Sequence, residues 1–315
     1  MGSQDARQPA PVAFFVYNRP DHTRRTLEAL RVNRLASASS LIVFSDGAKN
    51  EESAPLVEQV RQYIDAIDGF AAVTVVRRDK NYGLSGSIID GVTQVVEQYG
   101  KIIVLEDDLI TSPYFLDYVN DGLELYENVE EVASVNAYMY PIGGLPDIFF
   151  LRAADCWGWG TWKRAWKLFV PDGVRLLKEI VKNDLVDTFN FYGSYSYLDM
   201  LRDQINGKND SWAIRWSASV LLQKRLGLYV GKSMVWNIGF DGSGVHCGHA
   251  PLNRYGVPSE RQKVALHLLP LAEDKMSAAL VGKYISENFS PPRGWKGVAK
   301  RILGKLANIL SGEER

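Results

Sequence analysis

Three consecutive carboxylates, Glu106, Asp107 and Asp108, stand directly after the apolar run 102–105 in the segment KIIVLEDDLITSPYF. Like charges at this spacing repel one another and hold their protons more tightly. A hard divalent cation, Mg2+ or Mn2+, resolves that repulsion. It takes oxygen ligands and keeps room in its shell for water and substrate phosphate. A solvated acidic loop is the alternative. The abrupt change from apolar strand to acid favours the metal site, as does the following Ser112-Pro113 pair, which reads as a helix cap and first-turn proline.

Other residues capable of chemistry lie further along. The segment CWGWGTW interleaves Trp157 and Trp159 with glycines. Flat rings with small neighbours suit stacking on a sugar face, and an aromatic corner of the core has the same composition. The segment VHCGH gathers His246, Cys247 and His249, but a structural zinc site would need a second ligand pair. The loop NYGLSGS, headed by Asn81, can bring backbone close to a phosphate at a helix N-terminus.

The elements that must position these residues follow from periodicity. Apolar runs at 11–18, 40–47, 71–78 and 101–105 read as strands, separated by helical patterns around 21–30 and 53–67 and by a loop and a helix within 79–100 that ends at Gly100. Asp21 or Thr23 is the expected cap of the first helix. Strands alternating with helices indicate βαβ units and a mostly parallel sheet covered on both faces. Ligands on such sheets bind beyond the carboxyl ends of the strands. The endings YNRP, SDG, DKNYG and EDD should therefore converge on one crevice. From 129 onward, strand-like stretches at 131–140, 149–160 and 227–240 mix with helices near 161–168, 174–189, 195–206 and 212–226.

Bulk composition sets limits. The 315 residues are 46% hydrophobic and 23% charged, enough for one large domain or two modest ones. A net charge of −1 argues against a general nucleic-acid binder. Two cysteines, Cys156 and Cys247, make no disulfide framework and suit a reducing cytosol. No apolar run approaches the roughly 20 residues needed to span a bilayer. The first ten residues read as a polar, flexible lead-in without a signal-peptide core. In 291–315, Val298, Ile302, Leu306 and Ile309 share a helical face beside Arg293, Lys296, Lys300, Arg301 and Lys305. A basic amphipathic helix of this kind fits an anionic membrane surface, and a helix packed on the domain is the alternative.

The order and spacing of FFVYNRP, SDG, NYGLSGSI and VLEDDLITSPYFLDY resemble the nucleotide-sugar glycosyltransferases of the GT-A fold. The closest likeness is to the N-acetylglucosaminyltransferase I type, with a Glu-Asp-Asp variant of the Asp-X-Asp motif. CWGWGTWKRAW, NDSWAIRW and GKSMVWNIGFDGSGVHCG follow in the expected order, so the likeness spans about 11 to 248. It implies a GT-A, Rossmann-like α/β fold, with 11–128 as the nucleotide-sugar half and 129–290 as the acceptor and catalytic half of the same domain. It also implies that Asp108 binds the metal, Asp107 the donor ribose or sugar, and Glu106 the nucleotide side. Tyr17, Asn18 and Arg19 would line the nucleotide pocket, with Asp46 near the base and Asn81 on the donor side.

For inverting transfer a carboxylate takes the acceptor hydroxyl's proton. The family's acidic pair before a Trp is matched here by KNDSWAIRW. Asp210 takes the base's place, although the pair is reduced to Asp210-Ser211 and Asp210 can also serve as the cap of the helix that follows. Trp157, Trp159 and Trp212 would face the acceptor, and His246 would reach the metal or diphosphate. The implied activity is metal-dependent transfer from a UDP-sugar to a glycan or lipid-linked saccharide in polysaccharide or glycolipid assembly. The enzyme would be cytoplasmic and peripheral on the inner membrane face. A sugar nucleotidyltransferase is disfavoured because YNRPDHTRR lacks the expected glycine-rich phosphate loop. A non-catalytic glycan-binding scaffold on the same fold is kept open by the altered acidic pair.

Overall fold

The computed structural model describes residues 8–242, Tyr255 and residues 262–289. The apolar runs form the strands expected of them. β1 (Val12–Val16), β2 (Ser40–Ser45), β3 (Ala72–Arg77) and β4 (Lys101–Glu106) pair in parallel in the order β3-β2-β1-β4. The helices between them are α1 (Pro20–Arg31), α2 (Ala54–Asp65) and α3 (Gly83–Tyr99). Every residue of β1 and the central four of β4 are buried, as the unbroken apolar runs of a doubly covered sheet require. Asp21 and Thr23 do not cap α1. The helix starts earlier, at Pro20, with Arg19 in the cap position, because proline's fixed φ and missing N–H suit the first turn. α3 ends at Gly100, whose φ of 78° provides the left-handed stop.

β4 runs into β5 (Leu109–Thr111) and α4 (Phe115–Leu125). The second half extends the same sheet with β6 (Val132–Asn136), β7 (Ile148–Leu151), β8 (Trp159–Trp162) and β9 (Leu226–Val230). The complete order is β3-β2-β1-β4-β8-β6-β9-β7, with four parallel and three antiparallel pairings. One mixed, mostly parallel sheet therefore runs through both halves. The strand-like stretch 149–160 is broken into β7 and β8. Gly158, at φ 66°, turns the chain where an added Cβ would lie 2.7 Å from Val235.

The remaining helices are α5 (Lys163–Trp166), α6 (Gly173–Lys182), α7 (Val186–Phe189), α8 (Tyr197–Ile205), α9 (Trp212–Leu222) and α10 (Lys275–Asn288). α6 to α9 share a small core of Leu176, Ile180, Phe189, Leu201, Ile214 and Ala218. β10 (Val235–Asn237) returns to pair antiparallel with β5, setting Asn237 opposite Leu109. That pairing brings the late chain back to the acidic end of β4. Among the described residues, no helix is long and apolar enough to cross a membrane.

Candidate active site

Because β1 to β4, β6 and β9 run in one direction, their carboxyl ends share one edge of the sheet. Glu106 ends β4 opposite Phe15 of β1. Asp107 and Asp108 follow it, 4% and 7% exposed. Their backbones are tied down: Asp107 O accepts from Thr26 Oγ1 at 2.7 Å, and Asp108 O from Ile238 N at 2.8 Å.

Arg19 answers the charge of this cluster in the structure. Its Nη2 bonds Asp107 Oδ1 and lies 3.0 Å from Asp108 Oδ2, while its Nε lies 3.4 Å from Asp107 Oδ2. Sequence reasoning placed Arg19 in the nucleotide pocket and missed this role, which only the pairing of β1 with β4 creates. Burial depresses the Arg19 pKa, but the charges of Asp107 and Asp108 outweigh it and the net shift is upward. Among the described residues Glu106 has no such partner. Burial first, then the charges of Asp108 and Asp107, push its carboxyl up to about 8, with Arg19 opposing.

The donor set fits a hard cation. No described residue donates a hydrogen bond to the Glu106 carboxylate or to Asp108 Oδ1, which leaves carboxylate oxygens of the kind Mg2+ and Mn2+ take. Among the described residues no three His, Cys, Asp or Glu side chains converge on an ion-sized site. An ion here would draw its remaining ligands from water and substrate, as Mg2+ usually does. His246 lies outside the described residues, as do the tail 291–315 and residues 1–7 of the lead-in. The chain approaching His246 does pass the cluster: a Cβ at Gly239 would sit 2.3 Å from Asp108 Oδ2, and Asp241 Oδ2 is 3.2 Å from His22 Nε2.

Tyr17 and Asn18, which follow β1, line a cleft of about 320 Å³ together with Lys49, Asn50, Glu52, Ser53 and Leu56. Lys49 to Ser53 come from the β2–α2 connection and Leu56 from the first turn of α2, a stretch that carries no recognisable motif and was not expected at the site. Tyr17 Oη accepts from Lys49 N at 3.2 Å, closing one wall.

Asp46 anchors the neighbouring loop. It accepts from Gly47 N, Tyr82 N, Gly83 N and Asn81 Nδ2 at 2.8–3.1 Å. Burial raises its pKa and the three backbone N–H groups pull the other way. Gly47 is required where it is, because a Cβ there would lie 2.4 Å from the Lys80 carbonyl carbon. Asp46 and Asn81 thus shape the start of α3.

Asp210 arrives at the same loop from the other half of the chain. Its Oδ2 is 3.7 Å from the Cβ position of Gly83, and Arg215 Nη2 is 3.8 Å from its Oδ1. It does not cap α9. Ser211 does so, accepting from Ile214 N at 3.2 Å, which leaves the 59%-exposed Asp210 side chain with no capping duty.

The three tryptophans separate. Trp157 is half-buried, edge-on to Tyr138, Phe240 and Tyr255 at centroid distances of 4.5–5.7 Å. Trp159 and Trp212, expected at the acceptor, are core residues instead. They are 0% and 2% exposed and stack on each other at 5.4 Å, with Trp216 beside Trp159. Rings enclosed in this way have no face left for a sugar. The alternation of Trp with Gly marks close packing of β8: a Cβ at Gly160 would meet Val119 at 2.7 Å.

Residues 12–140 match the family model described as Glycosyl transferase family 2. The matched stretch runs from β1 through β6, about two fifths of the chain, and the mixed, mostly parallel sheet is the one expected of the GT-A fold. Among solved structures, the chain is similar to the mannosyltransferase PcManGT from Pyrobaculum calidifontis in complex with GDP-Man and Mn2+. That similarity has 12% identity and a TM-score of 0.32, over 42% of this chain and 36% of that one. Another is TarS of S. aureus, with 13% identity and a TM-score of 0.31, over 44% of this chain and 23% of that one. The chain thus spans well under two thirds of either structure. No curated protein matches it.

Proposed function

We propose that this chain, whose residues 12–140 match the family 2 model, is a glycosyltransferase that moves a sugar from a UDP-sugar to a saccharide or lipid-linked saccharide. The observation that carries the reading is the junction at the end of β1. Tyr17 and Asn18 line the cleft, and the next residue, Arg19, grips the acidic end of β4. A nucleotide seated in that cleft would have its diphosphate directed toward Glu106, Asp107 and Asp108. The resemblance to the N-acetylglucosaminyltransferase I type assigns the same three residues to donor and metal.

Asp108, with Glu106 beside it, would hold Mn2+ or Mg2+. Once bound, such an ion neutralises charge on a departing diphosphate. The chain's own work is to orient the donor and move a proton. The acceptor hydroxyl gives its proton to Asp210 as its oxygen bonds the anomeric carbon, and the bond to the diphosphate breaks, carrying its electron pair away. Displacement from the opposite face inverts the centre. Trp157, with the half-buried Phe240 beside it, offers an aromatic surface for the acceptor. The basic amphipathic tail would hold the enzyme, cytoplasmic and peripheral, against an anionic leaflet where a lipid-linked acceptor resides.

Calorimetric titration of UDP with and without Mn2+, on the wild type and Asp108→Ala, tests the donor site. Binding that needs both the ion and Asp108 is expected. Absence of UDP binding under every condition overturns the donor assignment.

A further inference from the structure

We infer that Arg19 is an exchangeable counter-ion: it neutralises the acidic strand end while no divalent cation is bound, and yields Asp108 when one enters. The inference rests on the metal reading proposed above and adds a residue that competes with the metal.

The geometry is specific. One guanidinium nitrogen of Arg19 reaches both Asp107 and Asp108, and Asp108 Oδ2 accepts from it at 3.0 Å. The pair is sheltered. The Arg19 side chain is 17% exposed, and the Cβ position of Gly239 lies 3.2 Å from its Nη1. An arginine in such a site cannot relieve a conflict by losing its proton. A doubly charged ion on Asp108 would stand within a few ångströms of it, and like charges at that distance repel strongly in a sheltered site. The guanidinium must then withdraw from Asp108.

A destination exists along its own chain. The preceding residue, Asn18, lines the cleft, so a swing of the long Arg19 side chain carries its charge toward a nucleotide's phosphates. Guanidinium groups bind phosphate oxygens in bidentate fashion. The same residue thus opposes the cation in the empty enzyme and assists the donor in the loaded one. A fixed structural brace would have no such double effect.

Two binding measurements of opposite sign test this without any turnover. The first titrates Mn2+ alone and follows free ion by electron paramagnetic resonance. Arg19→Gln should bind Mn2+ at least tenfold more tightly than wild type, and Arg19→Lys should fall between, since it keeps the charge and loses the fork. The second titrates UDP at saturating Mn2+, where Arg19→Gln should bind at least tenfold more weakly. Mn2+ affinity that is unchanged or weaker in Arg19→Gln overturns the inference, provided Asp108→Ala abolishes the binding. Mn2+ binding indifferent to Asp108→Ala sinks the underlying metal assignment instead. Thermal melts accompany both series. If neither Arg19 variant folds, Arg19 is a brace and the inference is wrong.

Discussion

Arg215, in the first turn of α9, donates a hydrogen bond to the hydroxyl of Ser85, in the first turn of α3, across 130 residues of sequence. Its other nitrogens reach Ser211 O at 3.2 Å and Pro171 O at 3.1 Å. A single buried side chain thus ties the donor-side helix to the segment that presents Asp210. Burial lowers the Arg215 pKa, and the charge of Asp210 opposes the shift.

Removing that tie should be felt as instability. Arg215→Met leaves the Pro171 carbonyl and the Ser85 hydroxyl without their partner, at roughly 2–3 kcal/mol for charged hydrogen bonds lost from a buried site. Urea unfolding measures it. Arg215→Lys should recover less than half of the loss, because an ammonium lacks the planar fork that serves three acceptors in different directions.

Asp210→Asn separates stability from chemistry. Ser211 carries the cap, so urea midpoints of Asp210→Asn and wild type should agree to within about 0.5 kcal/mol. Transfer to the acceptor should fall by roughly two to four orders of magnitude, the usual worth of a positioned base. A variant that keeps full turnover would place the base elsewhere.

Asp155 gives the stability a pH dependence. Burial first, against the N–H groups of Trp157 and Cys156, lifts its carboxyl from 3.8 to about 6. The folded state therefore binds the extra proton, and stability declines as pH rises from about 4 to about 6, then levels off. The loss should be about 1–2 kcal/mol, since the side chain is only half-buried and water screens part of the effect. Both N–H groups bond Oδ1, so Asp155→Asn can keep them. That variant should match wild type at pH 4 and exceed it at pH 7 in urea unfolding.

Gly239→Ala probes the approach of β10 to the acidic cluster. The new methyl would lie 2.3 Å from Asp108 Oδ2, a distance no Cβ tolerates, so Asp108 or the backbone must shift. The far-UV circular dichroism spectrum should be unchanged. Mn2+-dependent UDP binding should weaken at least tenfold, and an unchanged affinity would exclude Asp108 from the donor site.

The sequence alone determined the strands and most of the helices, because a doubly covered strand must be an unbroken apolar run and glycine and proline punctuate the rest. It also marked the strand end Glu106–Asp108, since three adjacent acids after such a run need a counter-charge wherever they fold. Which counter-charge they meet was not legible. Arg19 is 88 residues away from Asp107, and only the lateral pairing of β1 with β4 sets them together. The same holds for the cleft wall from Lys49 to Ser53, polar loop residues that acquire meaning by facing Tyr17. Tertiary packing alone decided that Trp159 and Trp212 belong to the core while Trp157 stays half-exposed. A Trp-Gly alternation serves a ring stack and a sugar platform equally well, and the difference lies in what covers each ring. Asp210 likewise read as a helix cap as readily as a base until the fold gave the cap to Ser211. Local chemistry is written in the order of residues, whereas partnership across a sheet depends on a register and an approach that no linear spacing contains.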